Sequence, residues 1–264
     1  MINIQKYVRA KSLEEAYTLN QKKKNRILAG MLWTRMESGN VTVAIDLCDL
    51  GLDKIEENEE EFSIGAMVTL RQLQMHESFE NYCDGIVAKA VKDIIGVQFR
   101  NLATVGGSIW GRFGFSDVLT AFMALDTYVE LYKGGVIPLE QFARMQYDRD
   151  LLVRVIVKKK PGVFSYQAMR VQKTDFPILT CGVSRMDGVC KAVIGARPGK
   201  AVCIHDDRHL LDGEVTEKKA EAFAEYVAEQ VTTGSNMRGS AEYRTHLVKI
   251  LTGRGVMELG GVRA

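Results

Sequence analysis

The chain has 264 residues, 46% of them hydrophobic and 26% charged, and a formal net charge of +2. That is an ordinary globular composition with room for one large or two modest domains. The small charge gives no argument for a nucleic acid or a membrane surface as partner. Five cysteines, none in a C-x-x-C pair, point to reduced thiols in a cytoplasmic protein, and away from a structural zinc or an iron–sulfur cluster held by this chain alone. The N-terminal Met1-Ile2-Asn3-Ile4-Gln5-Lys6 lacks the apolar segment of a signal peptide.

Ser12 followed by Glu15 is a capping-box pattern, and Leu13, Ala16, Tyr17 and Leu19 share one side of the helix it starts. Lys22-Lys23-Lys24-Asn25 reads as the solvated end of that helix. A short strand, Arg26-Ile27-Leu28, then runs into a turn at Ala29-Gly30, and residues 41–47 form another strand. The loop over residues 29–34 therefore leaves the end of a strand, where ligands commonly sit in layered α/β structures. The acidic run 56–61 reads as an exposed turn, because Phe62 to Ala66 resumes apolar character. Thr69 can cap a short helix, and residues 84–95 read as a helix with Ile86, Ala90 and Val91 inward.

From Phe99 to Ile109 the pattern predicts a strand-like lead-in and a tight turn at Gly106-Gly107, followed by a helix over 117–125. Paired glycines tolerate positive φ and remove the Cβ atoms that hold a ligand off, and unpaired amides at a helix start attract anions. Taken alone, Gly-Gly has the plainer reading of a turn between packed elements. Residues 127–132 alternate as a strand with Gly134-Gly135 as its hairpin turn. A strand over 151–157 is closed by Lys158-Lys159-Lys160-Pro161-Gly162, which marks the expected domain boundary. Beyond it, 163–169, 178–185 and 189–196 read as strands, the last two joined at Asp187-Gly188, and helices are expected over 215–231 and 240–257. The expected division is a domain over 1–160, with parts of about 1–50 and 51–160, and a smaller one over 161–264.

Two glycine-bearing loops thus follow strands, and a diphosphate held between them would be met by main-chain N–H groups rather than lysines. Charge-assisted bonds of that kind contribute about 1.5–3 kcal/mol each. The familiar phosphate fingerprints are absent: Gly199-Lys200 is followed by Ala201, and no strand-to-helix G-x-G-x-x-G occurs. His76, His205, His209 and His246 are scattered, and His205 with His209 around Asp206-Asp207 reads as a solvated turn, so no metal ligand and no catalytic side chain is expected.

Asn101-Leu102-Ala103-Thr104-Val105-Gly106-Gly107-Ser108-Ile109, with Ser116-Asp117 and Ala124-Leu125-Asp126 beyond it, resembles the second flavin loop of the FAD-binding medium subunits of molybdenum hydroxylases, the xanthine dehydrogenase and carbon monoxide dehydrogenase family. The Ser12-Leu13-Glu14-Glu15-Ala16 helix leading to Leu28-Ala29-Gly30, the run Phe176-Pro177-Ile178-Leu179, the run Gly195-Ala196-Arg197-Pro198, and Arg238 to Arg244 agree with it, so the resemblance spans nearly the whole chain. It implies an α+β fold: a two-part FAD-binding domain of the vanillyl-alcohol-oxidase/PCMH type, then a smaller sheet-plus-helices domain. It also implies that Leu28, Ala29, Gly30, Met31, Leu32, Trp33 and Thr34, with Ala103, Thr104, Val105, Gly106, Gly107, Ser108 and Ile109, wrap the FAD pyrophosphate. Ser116 and Asp117 would lie toward the adenosine, with a helix N-cap as the alternative role of Asp117, and Ile178 near the isoalloxazine, with plain strand core as its alternative.

The implied partners are a molybdopterin-binding large subunit, a 2Fe-2S small subunit and an acceptor such as NAD. Two departures stand out. The family's Ala-Gly-Gly-Thr-Asp-Leu is here Ala29-Gly30-Met31-Leu32-Trp33-Thr34, which limits positive φ at Met31, and Phe113-Gly114 replaces small residues and proline. An assembly subunit that has lost flavin, and a stand-alone flavin oxidase, are the competing readings.

Overall fold

Residues 2–261 are described by a computed structural model. Met1 and 262–264, the extremes of the two expected domains, lie outside the described residues. Strand β1 (Ile2–Arg9), helix α1 (Leu13–Asn20), β2 (Arg26–Leu28) and β3 (Gly39–Asp46) open the chain. The strands lie in the order β1-β3-β2, all parallel. Ser12 Oγ accepts the Glu15 N–H, as its pattern requires, and Ala16 packs with Ile45 and Leu47 beneath the helix. Strand β1 has no counterpart in the sequence reading because almost all of it is exposed or half-exposed, so it carries no alternation to detect.

Next come β4 (Ile55–Glu57) and β5 (Glu61–Gly65), then α2 (Leu70–Gln74), α3 (Glu77–Tyr82), α4 (Ile86–Val91), α5 (Val97–Arg100), α6 (Val105–Trp110) and α7 (Asp117–Ala124). After them follow β6 (Thr127–Leu131), β7 (Gly135–Pro138), α8 (Leu139–Arg144) and β8 (Leu152–Lys158). The strands form an antiparallel sheet in the order β4-β5-β8-β6-β7. The helix expected over 84–95 is cut to α4, with Asp84 (φ 53°) and Ile95 (φ 50°) in left-handed geometry on either side of it.

The strand and tight turn expected from Phe99 to Gly107 are replaced by α5 and α6. Thr104 caps α6 through a bond from the Gly107 N–H, and neither Gly106 nor Gly107 has positive φ. The turn after β5 supports this outcome: the Val105 and Gly106 N–H groups, which have no partner within the helix, donate to the carbonyls of Val68 and Ala66, each at 2.8 Å.

The last unit is β9 (Gly162–Met169), β10 (Leu179–Met186), β11 (Val189–Gly195), β12 (Val202–His205), α9 (Glu217–Gln230) and α10 (Ala241–Leu259). Its antiparallel order is β12-β11-β10-β9. Ala220, Phe223 and Val227 of α9, spaced for one helix face, meet Leu247, Val248 and Leu251 of α10 and the Cys181 and Val183 face of β10. Phe164, Tyr166, Val193 and Cys203 instead join the large core around α4 and α7. This sheet therefore seals the first 160 residues on one face and carries its own helices on the other.

Candidate cofactor site

Beyond Leu28 the chain turns over residues 29–34 into a single 3-10 turn, Thr34–Met36. A Cβ on Gly30 would lie 1.8 Å from the Leu102 carbonyl oxygen and 2.5 Å from its carbon, so the two glycine-bearing segments, distant in sequence, abut in space. Met31 adopts φ 56° although it is not glycine. The left-handed bend thus survives the missing second glycine, at a cost of about 1–2 kcal/mol. Among the described residues, none of the main-chain N–H groups of 29–34 has a protein acceptor. Consecutive N–H groups around a left-handed residue make an anion-binding concavity.

The second segment contributes differently from its sequence reading. The N–H groups of Val105, Gly106 and Gly107 are already bonded, to Val68 O, Ala66 O and Thr104 Oγ1. The free donors expected at the glycine pair are therefore not there. What α6 offers is a smooth face: Thr104, Gly107 and Ser108 line the cleft, and a Cβ on Gly107 would meet only Thr104 Oγ1, at 3.1 Å. Val105 and Ile109, one helical turn apart, point the other way into the core. Leu28 packs with Val41 and Ala44, and Ile178 belongs to the core under α9 and α10, its N–H bonded to Met169 O. Leu28, Val105, Ile109 and Ile178 thus fall outside the cleft lining, while Phe176 and Pro177 stand where Ile178 was expected.

The cleft has a volume of about 580 Å³, within the range of small-molecule and cofactor sites. Ala29 to Thr34, Ala103, Thr104, Gly106, Gly107, Ser108, Ser116 and Asp117 all line it. Ser116, not Asp117, caps α7, its Oγ accepting the Leu119 N–H at 3.1 Å. Asp117 is buried, and its Oδ1 accepts from the Tyr166 hydroxyl and the Arg170 guanidinium. Burial pushes its carboxyl above the ordinary range, against the pull of Arg170. Arg170 also donates to Asp175 O at 2.7 Å, so this cluster ties the start of α7 to the loop between β9 and β10.

Four aromatic rings form one wall of the cleft. Trp33 lies 5.8 Å from Phe113, 5.6 Å from Phe115 and 6.1 Å from Phe176, and Phe113 stacks on Phe115 at 5.2 Å. Phe113, Phe115, Phe176 and Arg170 were not singled out as site residues from the sequence. Aromatics at alternate positions in a glycine-containing loop, just before Ser116-Asp117, are the signal that could have found the first two.

The donor set fits a nucleotide diphosphate. Arg149 spends its guanidinium on the Asn20, Lys22 and Asn25 carbonyls and Arg170 is paired with Asp117, so the main-chain N–H groups of the first loop, with Arg26 at the cleft edge 3.9 Å from Glu37, are the donors open to an anion there.

An amide-lined bend, a wall of four aromatic rings and three sheets around one cleft define a protein built to hold an anionic, ring-bearing cofactor. The chain belongs to the family of FAD-binding domains in molybdopterin dehydrogenases, whose model matches residues 2–159, and residues 164–259 match the CO dehydrogenase flavoprotein C-terminal domain. The chain is 25% identical to the nicotine 6-hydroxylase medium subunit of Paenarthrobacter nicotinovorans, over 97% of each chain. It is 24% identical to the uncharacterized protein YgfM of Escherichia coli, over 94% of this chain and 93% of that one. Among solved structures, the carbon monoxide dehydrogenase of Hydrogenophaga pseudoflava superposes with a TM-score of 0.85 at 21% identity, over 98% of each chain. The resemblance read from the sequence is confirmed, as are the α+β fold with a two-part FAD-binding domain of PCMH type and FAD as the cofactor.

Proposed function

We propose that this chain is the electron-transfer subunit of a molybdenum hydroxylase complex, with FAD in the cleft beside residues 29–34. The observation that carries the reading is the run of main-chain N–H groups at 29–34 without protein acceptors, set directly against 102–103. These amides hold the pyrophosphate, and the Thr104 and Ser108 hydroxyls and the bare Gly107 face lie against it. Asp117 faces the adenosine side, its place fixed by Arg170 and Tyr166. The aromatic wall of Trp33, Phe113, Phe115 and Phe176 shields the cleft from water. FAD itself supplies the redox chemistry, and the protein binds, orients and screens it.

The partners in this reading are a molybdopterin-binding large subunit and a 2Fe-2S small subunit, with NAD or another acceptor receiving the electrons; the medium-subunit relative supports such an assembly. Five free thiols suit a cytoplasmic setting, and no helix among the described residues is long and apolar enough to cross a membrane. A working boundary at residues 160 and 161 divides FAD-binding from C-terminal domain. The test is purification and reconstitution: stoichiometric flavin, released by acid, is expected, together with capture of the two partner subunits when all three are co-expressed. Colourless protein that takes up no FAD but still captures both partners would instead establish the assembly-subunit reading.

A further inference from the structure

Away from the cleft, one cluster of side chains has the composition and geometry of a transition-metal site. Cys203 and His205 occupy alternate positions of β12 and so share a face, and Glu140, in the first turn of α8, reaches them from the other part of the molecule. The ligating atoms of the three lie within 4.8 Å of one another, and none of the three lines the cleft. Cys203 Sγ is 3.5 Å from His205 Nε2, which is 3.2 Å from Glu140 Oε2. A tetrahedral zinc ion, with bonds of about 2.3 Å to sulfur and about 2.0–2.1 Å to nitrogen and oxygen, needs S···N and N···O edges of about 3.6 Å and about 3.3 Å. The protein already holds both edges near those lengths without rearrangement.

We propose that Glu140, Cys203 and His205 bind one divalent transition-metal ion of the zinc class, with water as the fourth ligand. A thiolate, an imidazole and a carboxylate together favour zinc over magnesium or calcium, and their charges as ligands balance a dication. The Glu140 carboxylate is pre-aimed: its Oε1 accepts from Arg144 at 2.6 Å, which leaves Oε2 toward His205. Lys191, opposite His205 across β11 and β12, has its ammonium on the Leu125 carbonyl at 2.9 Å rather than on the carboxylate. On binding, a metal–sulfur bond replaces the S–H bond and the thiol proton leaves to solvent. Cys203 is buried while the His205 side chain is 44% exposed, so the site has a soft, shielded base and an open side for the water. An ion there fastens α8 to β12 and so staples the two halves of the chain. The sequence pointed away from this site because it pairs His205 with His209, whereas the true neighbours of His205 are Cys203, two residues back on the same strand face, and Glu140, from the other domain.

The experiment is equilibrium dialysis of the full chain, freed of metal, against buffered zinc sulfate, with bound metal counted and thermal melts recorded in parallel. Cobalt(II) serves as an optical probe of thiolate ligation. The proposal expects one zinc per chain, a higher melting temperature with zinc than without, and a thiolate-to-cobalt absorption band. Cys203→Ala and His205→Ala are each expected to weaken zinc binding at least tenfold and to abolish the zinc-dependent rise in melting temperature. His205→Ala at a half-exposed strand end serves as the readout if Cys203→Ala disturbs the core. No uptake by the wild-type chain, or uptake that both variants keep, overturns it. FAD content measured on the same samples keeps the outcome separate from that of the flavin reading.

Discussion

The sharpest test of the cofactor site is Gly30→Ala. The added methyl would be 1.8 Å from Leu102 O, whereas ordinary contact begins at 3.4 Å. The loop must therefore move back by about 1.6 Å, since neither side is a flexible side chain that can swing away. A displacement of that size breaks any hydrogen bond from residues 29–34 to an anion resting against the second segment. Each charge-assisted bond contributes about 1.5–3 kcal/mol. Losing two of them weakens FAD binding by about 3–6 kcal/mol, roughly two to four decades in Kd. The control is Gly107→Ala, whose methyl meets only Thr104 Oγ1, at 3.1 Å, and replaces a helical glycine. Its stability is expected to stay within about 1 kcal/mol of wild type, alanine's helix preference set against the tight contact with the capping Thr104 Oγ1, with FAD affinity lowered about tenfold by crowding of the cleft face. Titration of the apoprotein with FAD, followed by quenching of flavin fluorescence, gives both affinities, and melts of the apoproteins give both stabilities. A folded Gly30→Ala protein that binds FAD as tightly as wild type refutes the reasoning.

Glu80 gives a pH prediction. Burial raises its carboxyl from 4.5 to about 7, and its Oε1 has no partner, so the folded state holds a proton that the unfolded chain releases. This contribution to stability is complete below about pH 4.5, is lost as pH rises through 7, and is flat above. Discounted for partial solvent access, it amounts to about 1–2 kcal/mol. Urea melts at pH 5 and pH 8 should differ by that much less in Glu80→Gln than in wild type, and an equal difference in both proteins counts against the assignment. Arg244 is fully buried, and its guanidinium serves the carbonyls of Ile178, Gly234 and Gly239 together with Asn236 Oδ1. Arg244→Leu strands these buried acceptors, and chemical denaturation should register a loss of about 3–5 kcal/mol; a loss under about 1 kcal/mol would mean that water replaces the side chain without cost.

Elements whose cause is local were readable from the sequence. Ser12 with Glu15 and Thr69 cap helices through bonds three residues away, and Asp187-Gly188 closes a hairpin by its own backbone preference, so short windows of sequence contain the whole reason. The family likewise lay in the joint spacing of both loops and of the Arg238 to Arg244 run. Tertiary structure decided what depends on distant partners. Whether Gly106 offers its N–H to a ligand rests on Ala66 O, whether Met31 is held left-handed rests on its surroundings, and the meeting of Glu140 with Cys203 and His205 depends on how one domain lies on the other. Local sequence specifies hydrogen-bond donors and acceptors, but only the folded chain specifies which of them are already taken.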